Sequence, residues 1–160
     1  MKIRIGFGFD VHRLEEGYPL FLGGIKIEAP KGAVGHSDAD VLLHAICDAM
    51  LGALALRDIG YHFPDTSADY KGIDSKILLA KVNELIRLKG YKVSNIDSTV
   101  CLEQPKINPH IHAMQKSIAN VLGISEEDVS VKATTNEKLG YVGNTNGVNA
   151  YAVVLLSGIL

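Results

Sequence analysis

Ile3-Arg4-Ile5-Gly6-Phe7-Gly8-Phe9-Asp10-Val11-His12 is the stretch on which the reading of the fold turns. Apolar residues at 3, 5, 7, 9 and 11 alternate with Arg4, Gly6, Gly8, Asp10 and His12. Period-two alternation specifies a strand with one face buried. The expectation is that the apolar set packs on the core and that Asp10 and His12 lie on the non-core face. Residues i and i+2 of a strand project the same way, so a carboxylate and an imidazole stand side by side. That placement suits two ligands of one metal ion.

The remaining segments arrange themselves around this strand. Tyr18 to Ile27 carries Gly23-Gly24 between two apolar runs and predicts a hairpin. Lys31 to Ser37 reads as a glycine-punctuated loop. A helix is expected from about Asp38 to Leu56, capped by Ser37 or Asp38 and rich in Ala, Leu, Ile and Met. Asp40, His44 and Asp48 fall four residues apart on it and make one polar stripe, with the two carboxylates placed to accept a ring N–H of His44. Arg57 to Gly72 is a long turn-rich loop of the kind that serves function in compact domains. Further helices are expected over 74–89, stopping at Gly90, and over 110–122, stopping at Gly123. Strands are expected over 91–103, 129–135 and 148–157, with loops over 104–109 and 136–147. The predicted fold class is α+β, a single domain with helices packed on one face of a mixed sheet. The last strand, Tyr151-Ala152-Val153-Val154-Leu155-Leu156, is apolar on both faces, which calls for an oligomer.

Whole-chain properties narrow the function. The 160 residues suit one domain able to bury a substantial core without disulfides. A net charge of −2 argues against a general nucleic-acid binder. The two cysteines, Cys47 and Cys101, form no CxxC pair and fit a reducing compartment. The apolar C-terminal stretch is too short to span a bilayer. The reading is a soluble protein of the bacterial cytoplasm, or of an organelle stroma once a transit peptide is removed.

Asp10, His12 and His44 are the strongest candidate ligands. Two imidazoles and a carboxylate leave one position of a tetrahedral ion open, as in catalytic rather than structural sites. Gly35-His36-Ser37 precedes a helix N-terminus, where backbone N–H groups attract phosphate. Thr134-Thr135-Asn136-Glu137 ends a strand with two hydroxyls and a carboxylate, a set suited to magnesium with substrate phosphates. No GxxxxGK[ST] or GxSxG motif occurs.

Taken in order, Gly8-Phe9-Asp10-Val11-His12, Gly35-His36-Ser37-Asp38-Ala39-Asp40, Leu43-His44-Ala45, Asp58-Ile59-Gly60, Phe63-Pro64-Asp65-Thr66, Gln104-Pro105-Lys106, Lys132-Ala133-Thr134-Thr135 and Glu137-Lys138-Leu139-Gly140 resemble the 2-C-methyl-D-erythritol 2,4-cyclodiphosphate synthase family. The resemblance covers nearly the whole chain. It implies zinc on Asp10, His12 and His44, and magnesium or manganese on Glu137 with substrate phosphates. It implies that His36 and Thr135 act on the migrating phosphate, with Ser37 beside them. Methylerythritol contacts are implied at Asp58, Ile59, Gly60, Phe63, Pro64 and Asp65. Cytidine contacts are implied at Leu102, Pro105, Lys106, Ile107, Asn108, Ala133 and Thr134, and a further substrate contact at Tyr141. The implied assembly is a homotrimer with active sites between subunits, and the implied substrate a cytidine diphosphate. The implied reaction is attack of a 2-phosphate on the β-phosphorus of the same molecule with loss of CMP. Many family members carry an arginine and an acidic residue between 143 and 147, where this chain has Asn144 and Asn146. A cytidine-nucleotide binding module and a metal-dependent phosphohydrolase are the competing readings.

Overall fold

A computed structural model describes residues 2–159. A five-stranded mixed sheet runs in the order β4 (Gly32–Val34), β1 (Ile3–Glu15), β7 (Gly147–Gly158), β5 (Tyr91–Cys101), β6 (Val129–Thr134). The long strand β1 (Ile3–Glu15) pairs antiparallel with β7 (Gly147–Gly158) on one side and with the edge strand β4 (Gly32–Val34) on the other. Strand β7 also pairs antiparallel with β5 (Tyr91–Cys101), and β5 pairs parallel with β6 (Val129–Thr134). A separate hairpin joins β2 (Leu20–Leu22) to β3 (Ile25–Ile27). Its Gly23 and Gly24 both have positive φ, 62° and 77°, the backbone that a two-residue hairpin turn requires.

Helices cover one face of the sheet. Helix α1 (Val41–Ala53) lies directly on β1 and β7, and nearly all of its side chains are buried. Its one-turn successor α2 (Ile59–His62) falls inside the segment expected to be irregular. Helix α3 (Ser75–Leu88) packs on the outer side of α1, and α4 (Ile111–Leu122) forms the crossover from β5 to β6. Gly90 and Gly123, with φ of 80° and 68°, end α3 and α4 where the sequence predicted. A last short turn, α5 (Gly140–Gly143), precedes β7.

The expectation for β1 is inverted. Gly6 and Gly8 are buried beneath α1, Leu14 further along the same face is buried in the core, and Asp10 and His12 point to the same side. The apolar set Ile3, Ile5, Phe7, Phe9 and Val11 lines the uncovered face, with Ile5 70% and Phe7 63% exposed. The reason is steric. A Cβ on Gly6 would sit 1.8 Å from the Ala49 carbonyl oxygen, and one on Gly8 would sit 1.9 Å from that of Ala45. Helix α1 therefore rests on bare backbone, and only glycine permits so close an approach. Tyr151 and Val153 of β7 continue the uncovered apolar face, with the Tyr151 ring 5.2 Å from that of Phe9.

Helix α1 also starts later than expected. Asp40 is its N-cap, accepting from the Leu43 N–H at 3.0 Å. Ala39 before it adopts φ of 57°, so residues 37–39 form a turn rather than a first helical turn.

Candidate active site

Asp10 and His12 reach the site from β1, and His44 from the second turn of α1. The glycines that let α1 settle on β1 bring these side chains together. Asp10 Oδ2 lies 3.0 Å from His12 Nε2 and 2.9 Å from His44 Nδ1, and the two nitrogens are 3.1 Å apart. Three ligand atoms at the corners of a triangle with such edges fit three sites of a tetrahedral ion. Each imidazole has its other nitrogen engaged. His12 Nδ1 donates to the Val34 carbonyl at 3.1 Å, which leaves Nε2 free to ligate. His44 Nε2 faces Ser75 Oγ at 2.9 Å and Ser37 Oγ at 3.2 Å.

The electrostatics match a cation site. Burial opposes ionisation of Asp10, but His12 and His44 outweigh it and hold the carboxyl at about 2. Burial likewise lowers the basicity of His12, and the Asp10 carboxylate more than restores it, so its pKa ends above the ordinary value.

The polar stripe on α1 divides its tasks differently from the expectation. Asp40 is fully buried and accepts from the N–H groups of Gly23 and Gly24 at 3.0 and 2.6 Å, besides Leu43. It fastens the β2–β3 turn to the start of α1. Asp48 accepts from Ile59 N–H at 2.7 Å and fixes the next loop. Neither touches the His44 ring nitrogens; Ser75 and Ser37 do.

A cleft of about 400 Å³ opens at the ligand triangle. His12, His36, Ser37 and His44 form its polar end; Ile59, Gly60, Phe63 and Asp65 line the side expected to hold methylerythritol. Gly35 also borders it, and a Cβ there would come within 3.1 Å of the His12 ring. His36 Nε2 donates to the Ser67 carbonyl at 2.9 Å, and Gly72 N–H donates to the His36 carbonyl at 2.7 Å. These bonds clamp the long loop over the cleft. Tyr70 and Leu78 complete the lining and were not foreseen, because nothing in their local sequence marks them.

A second depression, of about 130 Å³, lies between the loops that follow β5 and β6. Leu102, Pro105, Lys106, Ile107 and Asn108 form one wall; Ala133, Thr134 and Thr135 form the other. Leu102 N–H donates to the Thr134 carbonyl at 3.0 Å and joins the walls. The Gln104–Pro105 peptide is cis. No described residue borders both clefts.

The other expected site residues lie apart from both linings. Asp58 caps α2, accepting from Tyr61 N–H at 2.9 Å, and the Pro64 carbonyl accepts from Ser67 N–H. Glu137 is exposed, accepts from Thr135 Oγ1 at 3.2 Å and adopts φ of 52°. The Tyr141 hydroxyl accepts from Asn149 Nδ2 at 2.8 Å.

The YgbB family model matches residues 3–157. The chain belongs to the YgbB family. Its relatives in that family include proteins named 2-C-methyl-D-erythritol 2,4-cyclodiphosphate synthase. The one from Porphyromonas gingivalis is 65% identical over 96% of this chain and 94% of its own length. The one from Bacteroides thetaiotaomicron is 64% identical over 98% of each. Among solved structures, the bifunctional IspDF from Campylobacter jejuni superposes on this YgbB-family chain with a TM-score of 0.95 at 41% identity, covering 99% of this chain and 43% of that one. The CDP complex of IspF from Plasmodium falciparum superposes with a TM-score of 0.86 at 38% identity, covering 99% and 97%. No helix among the described residues is long and apolar enough to cross a membrane.

Proposed function

We propose that this chain converts 4-diphosphocytidyl-2-C-methyl-D-erythritol 2-phosphate to 2-C-methyl-D-erythritol 2,4-cyclodiphosphate and CMP. It is a cyclising phosphorus–oxygen lyase of the non-mevalonate isoprenoid pathway. The observation that carries this reading is the Asp10–His12–His44 triangle, opening into a cleft whose rim is the His36–Ser37 turn. The names of the close relatives support it.

The nucleophile is an oxygen of the 2-phosphate, already ionised. It forms a bond to the β-phosphorus, and the bond from that phosphorus to the α–β bridging oxygen breaks, so the electron pair leaves with CMP. No side chain need become a covalent nucleophile, and the difficulty is bringing anions together in line. Asp10, His12 and His44 would hold zinc, which supplies Lewis-acid neutralisation of phosphate charge. Glu137 would hold magnesium or manganese together with the diphosphate. His36, Ser37 and Thr135 orient the attacking phosphate. Ile59, Gly60, Phe63 and Asp65 receive the methylerythritol carbon chain, with Asp58 and Pro64 shaping that loop. The depression between Leu102–Asn108 and Ala133–Thr134 receives cytidine, and the CDP complex of the Plasmodium falciparum relative supports a cytidine nucleotide as the ligand.

The working form is a homotrimer with active sites between subunits. Two observations support it. The uncovered sheet face presents Ile3, Ile5, Phe7, Tyr151 and Val153 as a contiguous apolar surface. A cytidine diphosphate ester must also engage both recognition sets, which share no residue within one chain. Phe7→Glu places a charge in the centre of that surface and is expected to lower the solution mass by light scattering from about three times 17.2 kDa to one chain. CMP release should fall with it. A variant that keeps the larger mass would refute this arrangement.

Phosphorus NMR of the product tests the reaction. The cyclic diphosphate and CMP are expected, with turnover abolished by EDTA and restored by divalent metal. Inorganic phosphate or an open-chain product would indicate a phosphohydrolase, and unchanged substrate a binding module; either refutes the proposal.

A further inference from the structure

Ser75 is the first residue of α3, fully buried, and part of none of the motifs above. Its hydroxyl stands between two partners. On one side Asp38 Oδ1 is at 2.5 Å, and Asp38 Oδ2 also accepts from Ser75 N–H at 3.0 Å. On the other side His44 Nε2 is at 2.9 Å.

The direction of these bonds follows from donor arithmetic. A carboxylate only accepts, so the single hydroxyl proton of Ser75 goes to Asp38. Ser75 Oγ then has only lone pairs to offer His44. In the neutral ring that metal ligation requires, Nε2 of His44 must therefore carry the proton, which leaves Nδ1, the atom that faces Asp10 and His12, to ligate. Ser37 Oγ, which accepts from Ala39 N–H at 3.2 Å, sits on the same edge of the ring and is a weaker second partner.

We propose that Asp38 and Ser75 act as positioning residues for metal binding, a carboxylate–hydroxyl–imidazole relay that selects the ligating tautomer of His44 and fixes its ring. The relay ties three segments: the turn before α1, the start of α3, and the ligand on α1. It rests on the reading of Asp10, His12 and His44 as metal ligands. Ser75 does not line the cleft, so it works only through His44.

Cobalt(II) titration of the full chain tests it, with affinity from chelator competition and the visible ligand-field bands as the readout. Ser75→Ala is expected to weaken cobalt binding 10- to 100-fold, the range for loss of an outer-shell partner, and to shift the bands. Ser75→Thr keeps the hydroxyl and should restore affinity to within about threefold of the parent chain by the same measure. Asp38→Asn is the sharper variant. Its amide can donate to Ser75 Oγ, which frees the hydroxyl proton for His44 Nε2 and leaves the proton of the neutral ring on Nδ1. The loss should equal or exceed that of Ser75→Ala, although Asp38 lies one residue further from the metal.

A purely structural role for Ser75 and Asp38 predicts lower melting temperatures with unchanged bands and affinity, and that result would overturn the relay. Band shifts in Ser75→Ala that Ser75→Thr does not reverse would overturn it as well. Failure of the functional reading would look different: the parent chain would bind cobalt with the expected order among variants yet release no CMP. A parent chain that binds no cobalt overturns both.

Discussion

His44→Ala abolishes stoichiometric zinc binding and lowers CMP release by at least about 10³-fold, which corresponds to roughly 4 kcal/mol of transition-state stabilisation. The size of the effect follows from the triangle. His44 Nδ1 is one of three ligand atoms within about 3 Å of one another. Without it, Asp10 and His12 remain as a pair on a single strand, too few to compete with water for the ion. The imidazole is nearly buried and pinned by Ser75 and Ser37, and among the described residues no other His, Cys, Asp or Glu joins the ligand group. Metal content by atomic absorption and CMP release by chromatography should fall together, while far-ultraviolet circular dichroism stays native. A variant retaining one equivalent of zinc and normal turnover would sink the assignment of His44.

The second large effect concerns stability first and the metal site as its consequence. Gly8→Ala should destabilise the protein by about 3 kcal/mol or more, the upper range for forcing extra volume into a packed interface. For a chain of this length that lowers the melting temperature by roughly 10 °C. The added Cβ would sit 1.9 Å from the Ala45 carbonyl oxygen and 2.7 Å from the Ala49 nitrogen. Those atoms belong to the helix backbone and cannot swing aside as a flexible side chain could. Relief requires α1 to lift from β1, and His44 precedes Ala45 on that helix. The distances from His44 to Asp10 and His12 would then lengthen, so zinc affinity should drop along with stability. Gly52→Ala is the control. Its nearest contact is the Phe7 carbonyl at 3.9 Å, and alanine there should be stabilising by up to about 1 kcal/mol through helix propensity alone. Equal melting temperatures for Gly8→Ala and the parent chain would refute the close-contact account.

These two variants mark where sequence reasoning succeeded and where it failed. The candidate ligand group was legible because imidazole and carboxylate are scarce, chemically specific groups. Asp10 and His12 stand two apart on a strand, and an imidazole in an apolar helix needs partners. The helix stops were legible at Gly90 and Gly123, since a left-handed residue there is a local requirement. The partners of His44 were not. Asp40 and Asp48 share its helix face and looked suited, yet Asp40 is taken by the Gly23–Gly24 turn and Asp48 by Ile59. Ser75 fills the role from a segment 31 residues away, and local spacing carries no information about such a contact.

Which face of β1 is covered is hidden from the sequence for a related reason. Alternation establishes that two faces differ, but hydrophobicity records only which side chains are costly to leave in water, not which surface covers them. In β1 the covered face is the one with glycines, because a helix backbone approaches closest where no Cβ intervenes. The apolar face is left for another surface. The residue types of the chain determined its class, its candidate metal-ligand set, the turn proposed for phosphate and its family likeness, since each depends on chemistry carried by short segments. Only the tertiary structure decided which face of β1 meets α1, how the ligand atoms close into a triangle, and which residues hold the imidazoles, since each depends on where distant backbones come into contact.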